Sequence, residues 1–436
     1  MSTQTKKVGI YTLGCKVNQY ESEAIAEKFE ARGYTVVSPE EPCDLYVINT
    51  CTVTAESDRK ARQFIRRAHK KQSDAAILVT GCLAQTSPED VLAIEGVCFV
   101  CGNSSKLSVV DAADEFFAGG ICKRNAVENI DTAPFEKMNI THFDRTRAYV
   151  KIEDGCESRC TYCTIPKARG QIRSKLPSDV IAEVEALTEG GCREIVLTGI
   201  ETASYGKDLS GTNLADLLCR VDKIKNIGRV RLGSLDPSLI TEDFVGKIKD
   251  LRSLAPHFHL SLQSGSDRVL ALMKRKYNSR MAMRAIELLR EAFPTAQFTT
   301  DVIVGFPGET EEDFEDTLNF AKNAKFLKIH IFPYSKRKGT PAAEMQGQLS
   351  KQIKHERLTR LSEIECAARL ELLQKEISER PVCEVLFETF DGANAIGHTA
   401  SFIEVCVPSD VPLHSVMRKV RLTSQSGEVC FGEFYD

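Results

Sequence analysis

Cys156-Glu-Ser-Arg-Cys160-Thr-Tyr-Cys163 decides how this chain is read. Three thiols, spaced four and three apart, lie in a polar loop directly after residues 149–153, an apolar and β-prone run. Thiolates favour zinc or iron–sulfur clusters. A closed structural zinc site wants four ligands, usually as two pairs, and no partner His or Cys stands nearby. Three ligands in one tight loop suit a cubane cluster with one iron left open to bind something else. The bland alternative is a cysteine-rich loop by chance, and the polar context weighs against it.

Outward from this loop the pattern is strand, helix, strand. Strand candidates lie at 149–153, 194–198, 229–233, 257–262, 298–304 and 327–332, with helices near 179–189, 214–225, 239–250, 279–293 and 311–324. A full eightfold barrel needs roughly 250 residues, so six β/α units predict a partial, open (β/α)6 barrel with function at the carboxyl ends of its strands. Upstream, strands at 8–13, 45–49 and 76–80 alternate with helices near 20–31, 55–71 and after Pro88, which predicts a parallel α/β sheet. Residues 119–147 contain Gly119-Gly120, Asn125 and Pro134 and read as a linker. Downstream, a helix over 350–378 shows an apolar stripe of Ile353, Leu361, Ile364, Ala368 and Leu372, and Pro381 stops it. Short strands at 382–387, 400–407 and 419–423 then suggest a small all-β barrel. The expected organisation is α/β overall: 1–120, a linker over 121–147, the barrel with its helix over 148–378, and the β-barrel over 379–436.

The chain has 436 residues, 16 cysteines, 42% hydrophobic and 27% charged residues and a net charge of −4. That length buries ordinary cores without staples. No apolar run approaches the roughly 18 residues of a membrane span. The start, MSTQTKKVGIYTLGC, lacks a signal-peptide h-region, so a cytosolic location with reduced thiols is expected. Sixteen cysteines there need a purpose other than disulfides. The near-neutral charge argues against a protein-wide field for nucleic acid and leaves local basic patches open.

Three further cysteines share a placement. Cys15 ends Ile-Tyr-Thr-Leu-Gly-Cys, Cys51 ends Val-Ile-Asn-Thr-Cys and Cys82 ends Leu-Val-Thr-Gly-Cys, each just past a predicted parallel strand. One sheet brings the three strand ends to one edge, where the thiols can converge on a ligand. Three independently buried small hydrophobes are the alternative. Cys98-x-x-Cys101 lacks a second pair and reads as structural, as do Cys43, Cys122, Cys192, Cys219, Cys366, Cys383, Cys406 and Cys430. The eight histidines show no metal spacing, and His257 and His259 read as core or wall residues.

These motifs carry a family resemblance. Cys-x3-Cys-x-aromatic-Cys after the first strand of a partial barrel resembles the radical S-adenosylmethionine enzymes. Thr12-Leu-Gly-Cys-Lys-Val-Asn-Gln, Asn49-Thr-Cys-Thr-Val-Thr, Thr80-Gly-Cys and Glu153-Asp-Gly-Cys-Glu-Ser-Arg-Cys-Thr-Tyr-Cys together resemble the methylthiotransferases, and the terminal β-barrel looks like a TRAM domain. The resemblance implies two [4Fe–4S] clusters, an auxiliary one on Cys15, Cys51 and Cys82 and a radical-generating one on Cys156, Cys160 and Cys163. It implies S-adenosylmethionine both as methyl source and as radical precursor, tRNA as substrate, a flavodoxin- or ferredoxin-type electron donor and a sulfur donor. Tyr162, Thr198, Gly199, Gln263, Ser264 and Gly305 are the implied S-adenosylmethionine contacts. Lys16-Val-Asn-Gln-Tyr-Glu-Ser and Phe332-Pro-Tyr-Ser-Lys-Arg-Lys-Gly-Thr-Pro-Ala resemble the branch acting on threonylcarbamoyladenosine beside the anticodon. The isopentenyladenosine and ribosomal-protein branches remain alternatives.

Weaker signals stand beside these. Pro166, Arg169-Gly170 and Arg173 are candidates for a substrate or cofactor entrance, and an aromatic is expected where Lys167 stands. Arg59, Lys60, Arg62, Arg66, Arg67, Lys70 and Lys71 form either a tRNA phosphate face or a solvated helix face. Lys274-Arg-Lys276 and Lys336-Arg-Lys338 pose the same choice. From Ser378 onward the net charge is −5, which opposes a broad phosphate footprint and points to a narrow contact through Arg418, Lys419 and Arg421, or to packing. A non-enzyme rival, an RNA-binding protein with zinc or one structural cluster, is separated by iron and sulfide content. The oligomeric state is open, and a monomer fits.

Overall fold

The computed structural model describes residues 5–120, 123–143 and 145–435; Cys122 lies outside them. Six parallel strands form the N-terminal sheet, in the order Thr35–Val37, Lys7–Thr12, Leu45–Thr50, Ala76–Gly81, Val97–Cys101 and Arg124–Ala126. Helices cover both faces of such a sheet, so Leu45–Thr50 and Ala76–Gly81 are buried at every position. Ala61, Ile65 and Ala68 pack on one face, and Ile25, Phe29 and Val109 on the other. Strand order reverses between Lys7–Thr12 and Leu45–Thr50, which opens a crevice at their carboxyl ends.

The stretch expected as a linker is packed. It supplies the edge strand Arg124–Ala126, and Ile130, Met138 and Ile140 are buried. Its few apolar residues each fill a separate gap, so no period announces them.

The six barrel strands form two parallel triplets: Arg147–Lys151, Glu194–Thr198 and Arg229–Leu232, then His257–Gln263, Gln297–Val304 and Lys328–Pro333. Bridges at Val230–Leu254 and Leu235–Leu260 join them into one open arc. The N-terminal sheet docks here through helix Lys16–Ala31: Tyr20 Oη donates to Met138 O at 2.6 Å, and Lys151 Nζ meets Glu21 Oε1 at 2.9 Å. This helix starts at Lys16, directly after Cys15, and not near Tyr20 as expected.

Helix Lys351–Glu379 corrects the expected stripe. Its most buried row is Arg357, Leu361, Glu365, Arg369 and Leu373, with Ile364, Ala368 and Leu372 on the flanks. The helix lies between two units and buries charges that have partners, Arg357 on Glu309 and Arg369 on Glu365. The C-terminal barrel closes through five strands, Val382–Phe390, Asn394–Thr399, Glu404–Pro408, Met417–Ser426 and Val429–Phe434. The strand expected at 400–407 is a turn followed by Glu404–Pro408. Asn394–Thr399 and Val429–Phe434 escaped notice because a mid-strand glycine interrupts each apolar alternation.

Three of the barrel's carboxylates face the α/β barrel. Glu388 pairs with Arg147, Glu384 with Arg229 at 3.4 Å, and Glu428 with Lys328 and Arg369 at 2.7 and 3.0 Å. Phe402, held at φ +72°, stacks on His257 and His398 and lies beneath the guanidinium groups of Arg147 and Arg231. Part of the charge that looked wrong for nucleic acid therefore serves to dock the small barrel on the α/β barrel. Arg418 and Arg421 lie over Phe434 and Tyr435, and Lys419 and Arg421 are exposed. Among the described residues no helix is long and apolar enough to cross a membrane.

Candidate cofactor and active site

Each cysteine trio is presented by strand ends. Cys15 caps helix Lys16–Ala31 just past Lys7–Thr12, Cys51 follows Leu45–Thr50, and Cys82 opens the short helix after Ala76–Gly81. Gly14, at φ +104°, allows the first two loops to meet: a Cβ there would stand 2.8 Å from Cys51 Cβ and 3.0 Å from its sulfur. Cys156, Cys160 and Cys163 line one cavity of about 120 Å³ with Glu201, Asp236 and Gln263. Gly155, at φ +90°, turns the chain into this loop, and a Cβ there would strike Gln171 O at 1.9 Å. The short ribbon of Glu153–Asp154 with Arg173–Ser174 brackets the loop's base.

Four of these six sulfurs accept hydrogen bonds, although Cys156 also donates to Glu201 and Cys15 to Asn18. Cys156 accepts from Ser158 N at 3.4 Å, Cys163 from Ile165 N at 3.4 Å, and Cys160 from Arg275 Nη1 at 3.1 Å. Cys82 accepts from Arg169 Nε at 3.4 Å and Asn103 Nδ2 at 3.6 Å. Cys43, Cys98, Cys192 and Cys219 instead donate their S–H to backbone carbonyls. Donors aimed at sulfur suit thiolate ligands, whose cluster potentials such bonds tune. Burial pushes the Cys163 thiol up to about 12 and Cys51 to about 11, so iron's positive charge is what would deprotonate them. Among the described residues the ligand group gathered within 4.8 Å is His259, Asp301 and His330, and neither cysteine trio is drawn that tight. A single tetrahedral zinc with bonds of about 2.3 Å would pull sulfurs to about 3.8 Å. The donor set fits clusters.

A buried ionic network joins the two trios. Arg169, fully buried, donates from Nη1 to Glu21 Oε1 at 2.6 Å and Asp154 Oδ2 at 3.1 Å, and from Nη2 to Asn18 Oδ1 at 2.6 Å. Lys106 and Lys151 also meet Glu21, at 2.6 and 2.9 Å. Burial alone would raise the Glu21 and Asp154 carboxyls, yet Arg169 and the lysines hold both below the usual range. Glu153 is the opposite case: desolvation drives its carboxyl well up.

The structure redistributes the other expected residues. Tyr162 and Gln263 line the cysteine cavity, and Tyr162 meets Phe306 edge-on. Gly199 packs against Glu153 and Thr198 O accepts from Ile152 N at 2.8 Å, both outside the lining, while their neighbours Ile200 and Glu201 reach it. Ser264 is fully buried and bonds Thr317, and Gly305 packs on Lys354, so both face away from the cavity. Arg169 and Arg173 are buried braces and not an entrance, because Glu21, Asp154 and Ile130 O claim their guanidiniums. Sequence reasoning missed Glu201, Asp236 and Arg275. Arg275 and Arg337, the centres of the two Lys-Arg-Lys runs, are half-buried partners of Asp236 (2.8 Å) and of Thr52 and Asp58 (2.7 Å each). On helix Ala55–Lys71, Arg59, Arg62, Arg67 and Lys71 have carboxylate partners, which leaves Lys60, Arg66 and Lys70 exposed without one.

Comparison with known proteins agrees with this geometry. Residues 150–321 match the radical SAM superfamily, and residues 7–102 match the uncharacterized protein family UPF0004. The threonylcarbamoyladenosine tRNA methylthiotransferase MtaB of Bacillus subtilis is 40% identical, covering 98% of this chain and 96% of the relative. Its Thermotoga maritima counterpart is 42% identical over 82% and 81%. The tRNA-2-methylthio-N(6)-dimethylallyladenosine synthase of Aquifex aeolicus is 33% identical over 99% of both chains. Among solved structures, the radical S-adenosylmethionine methyltransferase TsrM of Kitasatospora setae shares the fold at TM-score 0.54 and 17% identity, covering 78% of this chain and 77% of that one. Identity of this level across nearly the whole chain places it in a family: the protein belongs to the radical S-adenosylmethionine tRNA methylthiotransferases.

Proposed function

We propose that this enzyme adds a methylthio group to C2 of N6-threonylcarbamoyladenosine at tRNA position 37, next to the anticodon. The observation that carries the chemistry is the pair of cysteine trios at strand ends, one lining the barrel's upper cavity and the other tied to it by Arg169. Cys15, Cys51 and Cys82 would hold the auxiliary [4Fe–4S] cluster, and Cys156, Cys160 and Cys163 the radical-generating one. With S-adenosylmethionine, the clusters supply the sulfur, methyl and radical chemistry, which belongs to the cofactors. The chain's own residues orient and enclose. Arg275 clamps Cys160 to Asp236, just past the third barrel strand, and to Ser261 O of the fourth at 3.3 Å. Glu201, which accepts from Cys156 at 3.2 Å at the cavity wall, would offer its carboxylate to the amino group of S-adenosylmethionine. Tyr162 and Gln263 wall the same space and keep water from it. Arg169 holds Cys82 and Asp154 on one guanidinium, so the two cluster loops keep a fixed separation.

The specific substrate follows from the MtaB relatives and from the Lys16 and Phe332 motifs. Lys60, Arg66 and Lys70 offer phosphate contacts to the tRNA. A flavodoxin- or ferredoxin-type reductant and a sulfur donor complete the reaction, in the cytosol. Nucleoside mass spectrometry of tRNA from cells lacking the protein tests this reading. Loss of the methylthio-threonylcarbamoyl nucleoside is expected, whereas loss of the methylthio-isopentenyl nucleoside alone would assign the other tRNA branch.

A further inference from the structure

Below the cysteine cavity the barrel lumen holds a second one of about 300 Å³, the lower end of the range for small-molecule sites. The two are stacked along one strand. Ser261 and Gln263 of His257–Gln263 line the upper cavity, while His257 and His259 line the lower. Residues two apart in a strand are separated by about 7 Å, so a base held near the cluster loops reaches the lower cavity with one short substituent. Lys16, the residue after Cys15, enters this cavity from the N-terminal sheet.

The cavity is cationic, and its cations differ in one respect. Arg147 and Arg231 each meet Glu194 at 2.8 Å, Lys328 meets Glu428 at 2.7 Å, and Arg369 meets it at 3.0 Å. The Lys16 ammonium makes no hydrogen bond or ion pair among the described residues. Asp301, the carboxylate within its electrostatic reach, is engaged by His259 Nε2 at 3.2 Å. Lys16 stays solvent-accessible at the cavity wall, and an accessible ammonium beside two arginines with no protein counter-ion on it is a receptor for an anion brought from outside.

We propose that this cavity receives the free carboxylate of the substrate's threonyl group, with Lys16 as its counter-ion and a determinant of specificity. The inference rests on the threonylcarbamoyladenosine reading above. Threonine joined to the carbamoyl through its amine keeps its carboxylate, so the substrate carries a negative charge that adenine and isoprenoid-substituted adenine lack. Recognition requires no bond to form or break.

The test uses reconstituted holoenzyme with two tRNAs, one bearing threonylcarbamoyladenosine and one in which its carboxylate is converted to the carboxamide. Wild type should lose about 30-fold in kcat/KM on the amide, about 2 kcal/mol at 1.4 per decade. Lys16→Gln should lose as much on the acid and treat the two tRNAs alike within about threefold. Lys16→Arg should restore preference for the acid. Equal losses by Lys16→Gln on both tRNAs would reveal a merely structural role and overturn the proposal. So would wild-type indifference to the amide, a comparison that decides even where Lys16→Gln loads less iron. Failure of wild type to turn over the acid tRNA, with turnover of isopentenyl tRNA, would overturn the substrate reading and this one together.

Discussion

Glu21 is the residue whose loss should damage the protein most without touching a cluster ligand. It is fully buried, and it pairs with Lys106 at 2.6 Å, Lys151 at 2.9 Å and Arg169 at 2.6 Å. Glu21→Gln keeps the shape and removes the charge. Lys106 is then left with only Asn49 Oδ1, at 2.8 Å, while Lys151 and Arg169 share Asp154. Arg169→Met is milder by the same geometry, because Glu21 keeps both lysines and Asp154 keeps Lys151 and Arg173. Breaking a buried ion pair costs about 3–5 kcal/mol. The upper end belongs to Glu21→Gln and the lower end to Arg169→Met. At about 2 °C per kcal/mol for a large chain, the midpoints should fall by about 10 °C and about 6 °C. Anaerobic calorimetry of the reconstituted proteins reads the difference. A Glu21→Gln midpoint within 2 °C of wild type, or Arg169→Met as the worse variant, would refute the reasoning.

Acid should erase the Glu21 effect. The folded carboxyl is held below its unfolded value of about 4.3, so its stabilisation is full above that pH and vanishes as pH falls through the folded value. The gap between wild type and Glu21→Gln should therefore begin to narrow below about pH 4 in thermal melts and go on shrinking as the pH falls. Cys156→Ala and Cys51→Ala should each lower iron from about eight to about four per chain on anaerobic reconstitution; zinc without sulfide would sink the two-cluster reading. Arg275→Leu removes the donor to Cys160 and leaves Asp236 unpaired, so S-adenosylmethionine cleavage should fall at least tenfold, with Arg275→Lys intermediate. Phe402→Ala empties the stack between His257 and His398 and should cost about 3 kcal/mol, read as a lowered melting midpoint.

Much of the site was legible because its signals are local. Cys156, Cys160 and Cys163 declare themselves by covalent spacing, and Cys15, Cys51 and Cys82 by their distance past apolar runs that end together in a parallel sheet. The residues around them were not legible. Arg275 and Arg337 each sit between two lysines and look like solvated charge, yet both are half-buried and paired with carboxylates contributed from elsewhere in the chain. Ser264 and Gly305 have suitable positions after their strands, but the turns point them at Thr317 and Lys354. The helix 351–379 hid its buried row for a related reason: Arg357 and Arg369 reach partners on other units, and no period reveals a charge with a distant partner.

The sequence by itself determined the parallel sheet, the open barrel, the placement of six cysteines just past strand ends and the family, because hydrophobic period and short spacings act within a few residues. Tertiary structure alone decided which charges are buried and what they hold. Lys151 and Glu21 stand 130 positions apart, and Arg169 and Asn18 stand 151 apart. It also turned the acidic tail from a poor RNA surface into the partner of Arg147, Arg229 and Lys328. A charge's role depends on the dielectric and the counter-charge around it, and folding brings those from far along the chain.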